Sequence, residues 1–218
     1  MTTTGAPTRT TTRTTTAELR ERHVGPMDNV SYLLTCRATG AQLLVDAAAD
    51  TPALLDLVRA GNPSGRLDAV VTTHRHHDHV GALADVLRAS GARSLAGAAD
   101  AGHLPARVDR RLAHGDVVAV GALRLHVVHL RGHTPGSVAL VLRTAGDAPH
   151  VWTGDSLFPG GVGNTGGDAA RFTSLLDDVE DRLFGQLPDE TVVHPGHGAP
   201  TTLGEQRPQL AAWRERGW

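Results

Sequence analysis

The stretch from Val70 to Leu87, VVTTHRHHDHVGALADVL, constrains this chain more than any other. Four histidines and an aspartate fall within six residues, directly after a short apolar run and directly before apolar residues at helical spacing. Imidazoles repel one another when protonated and are costly to bury without partners. A fold that gathers them where a strand gives way to a helix therefore needs something to offset that cost. His74, His76 and Asp78 share a period of two, so an extended segment aims all three side chains the same way, and His79 follows as the chain turns. Neutral imidazole and carboxylate are ligands that zinc, iron and manganese accept, and a bound cation removes the penalty of crowding them. A polar loop of exposed histidines is the competing reading of the cluster taken by itself.

The same signature recurs downstream. His133 lies in RGHTPGS between two strand-like runs, Asp155 closes HVWTGD, and His197 lies in HPGHG after TVV. Each polar group stands at the end of an apolar run, beside glycines that let backbone approach closely. Seven candidate ligands exceed what one four-coordinate ion needs and suit two. His194 rivals His197 from three residues upstream, and His77 either supports a neighbouring ligand or faces solvent. His23, His103, His114, His126, His129 and His150 have no clustered partners, and packing or solvent is their default.

The segments around these turns set the architecture. NVSYLLTCRA and AQLLVDAA read as a hairpin about Thr39 and Gly40, and TPALLDLVRAG as a helix entered at Pro52 and stopped at Gly61. LDAVVTT, VGALADVLRASG and ARSLAGA read as strand, helix and strand. From His114 to Phe158 the chain is a succession of short β-rich runs broken by Gly, Pro and Asp, which predicts several antiparallel strands. GGVGNTGGD reads as a loop over the site. Phe172, Leu175, Leu176, Val179 and Leu183 then share one helical face, with Asp168 placed to cap it. TVV is a final strand, and the closing helix presents Trp213 and Trp218 for packing. Strands flanked by helices on both sides imply a layered α/β protein with mixed sheets inside.

Composition narrows the rest. In 218 residues there is room for one ordinary core, so 19–218 is expected to be a single domain. Residues 1–18, mostly Thr with two Arg, bury too little to offset the entropy of ordering and are expected to form a disordered tail. Against 23 acidic residues stand 21 basic ones, all Arg, with no long run of either sign, so neither nucleic acid nor a membrane surface is an expected partner. Cys36 is the single cysteine, which excludes an internal disulfide and fits a reducing compartment. With no leader-like or spanning apolar segment, a cytoplasmic location is expected. Homo-oligomerisation is open to such a chain.

THRHHDH, followed in order by GHTPGS, GDSLF and PGHG, resembles the signature motifs of the metallo-beta-lactamase superfamily. The resemblance spans about residues 25 to 203 and implies a four-layer αββα sandwich with two mixed central sheets. It implies that His74, His76 and His133 hold a first divalent metal, that Asp78, His79 and His197 hold a second, and that Asp155 bridges them, with zinc foremost and iron or manganese as substitutes. Two such ions would activate water for attack on a carbonyl carbon, and Asp78 is the expected catalytic carboxylate that would orient it.

Within the superfamily the chain most resembles the glyoxalase II type, which hydrolyses hydroxyacyl thioesters of glutathione. Members that bind glutathione usually add a helical domain with basic residues, whereas only 21 residues follow His197 and no lysine occurs. A small acyl thioester or related ester on another thiol is the expected substrate. Persulfide dioxygenases share the outline but hold one iron through positions equivalent to His74, His133 and Asp155, and often carry GRTD where this chain has GNTGGD. Lactonase activity, and a metal-stabilised binding protein without turnover, are further alternatives.

Overall fold

The computed structural model describes residues 11–217. β1 (Thr12–Arg13), β2 (Ala17–Val24), β3 (Asn29–Cys36), β4 (Gln42–Val45), β5 (Ala69–Thr72), β6 (Arg93–Gly97) and β7 (Arg110–Leu112) form one sheet in chain order. Its first four strands pair antiparallel and β4 through β7 parallel, with α1 (Thr51–Gly61) and α2 (Leu83–Ser90) as crossovers. β8 (Val117–Val120), β9 (Leu123–His129), β10 (Val138–Leu142) and β11 (His150–Gly154) begin the second sheet. β12 (Leu157–Phe158) and β13 (Gly161–Val162) form a small hairpin of their own. β14 (Val192–Pro195), parallel to β11, and β15 (Thr201–Thr202) complete the second sheet in the order β15-β14-β11-β10-β9-β8. Both central sheets are mixed, as expected.

Side-chain alternation explains why several strands are apolar throughout. On β3 and β4, Leu34 and Leu43 face the second sheet, joining Val71, Leu125, Leu140 and Trp152 in the core between sheets. Their neighbours Leu33 and Leu44, with Val70, face α1 and α2 through Leu54, Leu57, Leu83 and Val86. The second sheet repeats the device. Val141, Val151 and Val193 pack outward on α3 (Ala169–Val179), through Leu175 and Leu176, and on Trp213 of the terminal helices. Those helices are α4 (Leu203–Gln206) and α5 (Leu210–Arg216). The layer order is helix, sheet, sheet, helix, and the expected Asp168 cap accepts from the backbone N–H groups of Ala170 and Arg171.

Three expectations change in detail. The described part of the expected tail, residues 11–18, is ordered: β1 pairs with β2, Ala17 is fully buried, and Asp147 accepts hydrogen bonds from Thr15 N and Oγ1 at 2.6 and 2.7 Å. Backbone pairing at a sheet edge supplies what a count of apolar side chains misses, and β-branched Thr suits it. Residues 1–10 and the expected packing of Trp218 lie outside the described residues. The helix after the histidine cluster starts at Leu83, because His77–His79 forms a 3₁₀ turn that precedes it. GGVGNTGGD is not wholly loop, since Gly161–Val162 is β13.

Candidate metal centre

The polar turns meet at one edge of the sandwich because each follows or precedes a strand at that edge. β5 runs into Thr73 and His74, and the 3₁₀ turn then delivers Asp78 and His79. His133 sits in the β9–β10 connection, Asp155 follows β11, and His197 follows β14. The extended His74–His76 segment and the tight turn after it point their donors at different places. His74, His76 and His133 form one group, Asp78, His79 and His197 a second, and His74, His79 and Asp155 a third that links them. Within each group the ligand atoms lie within 4.8 Å of one another. All seven sequence candidates are thus brought together.

Burial differs across the centre. His74, His79 and His133 are 2%, 0% and 5% exposed, whereas His76 is exposed and His197 half-buried, so the centre is rooted in the fold and open on one side. Two glycines permit the crowding. A Cβ on Gly163 would collide with the Asp155 carbonyl oxygen, and one on Gly196 with Asp155 Oδ1.

Hydrogen bonds away from the centre decide how the rings present themselves. His133 Nδ1 lies 2.7 Å from the Asn164 carbonyl oxygen, and His197 Nδ1 lies 2.9 Å from that of Met27. Both acceptors require an Nδ1 proton, which leaves Nε2 as a lone pair. Asp46, in a left-handed conformation just after β4, accepts from Thr73 N and Oγ1 at 2.7 Å each. Its Oδ2 also accepts from His79 Nδ1 at 2.9 Å. Since the Thr73 hydroxyl proton goes to Asp46, His74 Nδ1 donates to Thr73 Oγ1 at 3.1 Å, and His74 Nε2 also becomes a lone pair. The two bare Nε2 atoms of His74 and His133 then face each other at 3.2 Å. Asp155 Oδ1 is buried 3.2 Å from His79 Nε2, with no well-formed hydrogen bond among the described residues. Converging lone pairs next to an unsatisfied carboxylate oxygen are what a cation would satisfy, so the donors fit divalent metal ions.

Electrostatics agree. Burial pushes His74 well below its ordinary value, helped by the neighbouring imidazoles, and burial also lowers His76 and His133 despite Asp155. Burial would lower His79 as well, but the Asp46 and Asp155 carboxylates outweigh it and raise it to about 10. A proton held there occupies the place of a positive charge that the carboxylates attract. Asp78 is lowered although burial opposes it, because Asn29 Nδ2 donates to its Oδ2 at 2.8 Å and His79 and His197 stand nearby.

Of the remaining histidines, His77 points into solvent with its side chain 90% exposed. His194 does not join the centre. It is buried against Trp152 and Tyr32, with Nε2 2.8 Å from His150 Nδ1. Asp46 and Asn29 are the partners of candidate donors that reasoning from sequence missed. Asp46 carries the signature used for the others, a polar group closing the apolar run LLV, whereas nothing local marks Asn29.

Two mixed sheets between helices, with a histidine and aspartate centre at their shared edge, define a metal-binding αββα protein. A family model described as the metallo-beta-lactamase superfamily matches residues 24–197, and the chain belongs to that superfamily. Among curated relatives, the hydroxyacylglutathione hydrolase of Polaromonas sp. is 36% identical over 173 residues, covering 78% of this chain and 62% of the relative. The hydroxyacylglutathione hydrolase of Anaeromyxobacter dehalogenans is 42% identical over 172 residues, covering 78% and 61%. The chain therefore spans about three fifths of the length of these relatives. A crystal structure titled TTHA1623 in a di-iron-bound form superposes with a TM-score of 0.69 at 32% identity, covering 86% of this chain and 96% of that one.

Proposed function

We propose that the chain is a binuclear metal-dependent hydrolase of a small acyl thioester or related ester. The observation that carries this reading is the convergence of seven donors in two groups joined by Asp155. His74, His76 and His133 would hold one ion, Asp78, His79 and His197 the other, and Asp155 would bridge. Its carboxylate oxygens lie 3.2 Å from His79 Nε2, 3.7 Å from His133 Nε2 and 3.6 Å from His197 Nε2, within reach of both groups. Zinc is the first candidate, and the di-iron relative supports iron as a second. Curated relatives named hydroxyacylglutathione hydrolase support a thioester substrate. A cytoplasmic location remains the reading from sequence.

When bound, two divalent ions lower the pKa of water and polarise an acyl carbonyl. The chain supplies the rest. Asn29 Nδ2 donates to Asp78 Oδ2, the oxygen 3.2 Å from His197 Nε2 and 3.4 Å from His79 Nε2, and so holds that carboxylate where it would orient the attacking water. Asp46 and the Asn164 and Met27 carbonyls fix the ring orientations, so that the donors need little rearrangement on binding. The exposed His76 side of the centre admits substrate.

The test is elemental analysis of untagged protein, paired with thiol release from glutathione, coenzyme A and small-thiol esters, and with oxygen uptake on glutathione persulfide. About two metal equivalents with thiol release support the hydrolase. One iron with persulfide-dependent oxygen uptake would replace it with a mononuclear dioxygenase.

A further inference from the structure

Asp100 follows β6, is fully buried, and among the described residues makes no hydrogen bond or ion pair with any of the seven donors. Every polar group aimed at it is a donor. Arg75 N donates to its Oδ2 at 3.1 Å, Thr134 Oγ1 to Oδ2 at 2.5 Å and Gly136 N to Oδ1 at 2.9 Å, with Arg75 Nε 3.8 Å from Oδ1. Arg75 lies between His74 and His76, and Thr134 directly follows His133. One carboxylate therefore ties the loop of the first sheet to the loop of the second. The contact is close by construction: a Cβ on Gly136 would stand 2.7 Å from Asp100 Cγ, so only glycine fits. Ser137 extends the network, its Oγ accepting from Thr134 N at 3.1 Å and lying 2.6 Å from Thr134 Oγ1.

We propose that Asp100 is the positioning residue that sets the separation between His74 and His76 on one loop and His133 on the other, and so tunes one metal position selectively. The inference rests on the reading that these three histidines hold one ion. Among the described residues Asp78, His79 and His197 make no hydrogen bond or ion pair with Asp100, so the smaller effect is expected at the other position. The converging donors require an acceptor on both carboxylate oxygens. In Asp100→Asn, a near-isosteric change, one end of the amide becomes a donor and must oppose either Gly136 N–H or Arg75 N–H.

The experiment titrates metal-free protein with zinc in competition with a chromophoric chelator and compares melting midpoints without metal. Asp100→Asn should weaken one of two equivalents by about ten- to a hundredfold and leave the other within about threefold. Combined with His197→Ala, it should remove tight binding of both. Unchanged affinity at both positions would overturn the proposal. So would an equal loss at both that follows the drop in the metal-free melting midpoint, which is the mark of a general scaffold role. If Asp100→Asn does not fold, Thr134→Val against Thr134→Ser carries the same test: Val should weaken one equivalent and Ser restore it, and equal behaviour overturns the idea. Wild-type protein that binds a single equivalent would sink the two-ion reading, while the ratio between variant and wild type still judges Asp100.

Discussion

The chain holds two gatherings of buried histidine, and they behave oppositely. At the metal centre, His74, His79 and His133 share their space with Asp155, Asp78 and Asp46, and the bare Nε2 atoms of His74 and His133 face each other. In the second sheet, His150 and His194 lie side by side at 2.8 Å against Trp152 and Tyr32, with no carboxylate of the described residues in hydrogen-bond contact. Burial acts on both. At His79 carboxylates reverse it, raising the group to about 10, whereas at His194 burial and then His150 push it down to about 3. Whether a buried imidazole acts as a ligand or as packing depends on the acceptors that share its cavity, more than on its own burial.

The comparison breaks most sharply at Asp155. Asp155→Ala should lower kcat/KM for a thioester by on the order of 10³-fold. It should also take metal stoichiometry below two, and retention of both ions with full turnover would show that the carboxylate does not bridge. Asp46→Asn removes acceptors from His79 and Thr73, and should cost about ten- to a hundredfold in metal affinity, read by chelator competition. If affinity is unchanged, the orientation of His79 owes nothing to Asp46.

The second gathering should answer to pH instead. Unfolded His194 titrates near 6.5 and folded His194 near 3, so between these values the unfolded chain takes up a proton that the native one refuses. Its contribution is intact above about pH 6.5 and is lost as pH falls toward 3. Metal-free wild type should therefore lose more melting temperature between about pH 7 and pH 5 than His194→Gln does, with metal stoichiometry equal in the two. Parallel curves would remove the pair from the account of acid sensitivity. The smallest effect is expected at His77, in the motif but pointing into solvent: His77→Ala should change stability by less than about 0.5 kcal/mol and leave metal content intact.

Much of this was readable in advance. The strand ends at Thr72, Gly154 and Pro195 announced themselves as apolar runs closed by polar residues and glycine, and all seven donors do converge. The helix of Ala169–Val179 was legible from its apolar face and its Asp168 cap. Thr12–Arg13 was not, because edge pairing is a property of the backbone partner, and threonine-rich composition says little about it. Asn29 was equally hidden. It lies 49 residues from Asp78 in sequence and reaches it only because the β2–β3 turn folds over the same sheet edge.

By itself the sequence determined which residue types stand at strand ends, and with them the layered class of the fold, since periodicity and turn chemistry are local. Only the tertiary structure decided which histidine nitrogens face inward, that His194 belongs to the packing, and that Asp46 and Asp100 brace the loops. Those outcomes depend on acceptors tens of residues away along the chain, and a hydrogen bond selects a tautomer only when its partner has been brought within about 3 Å.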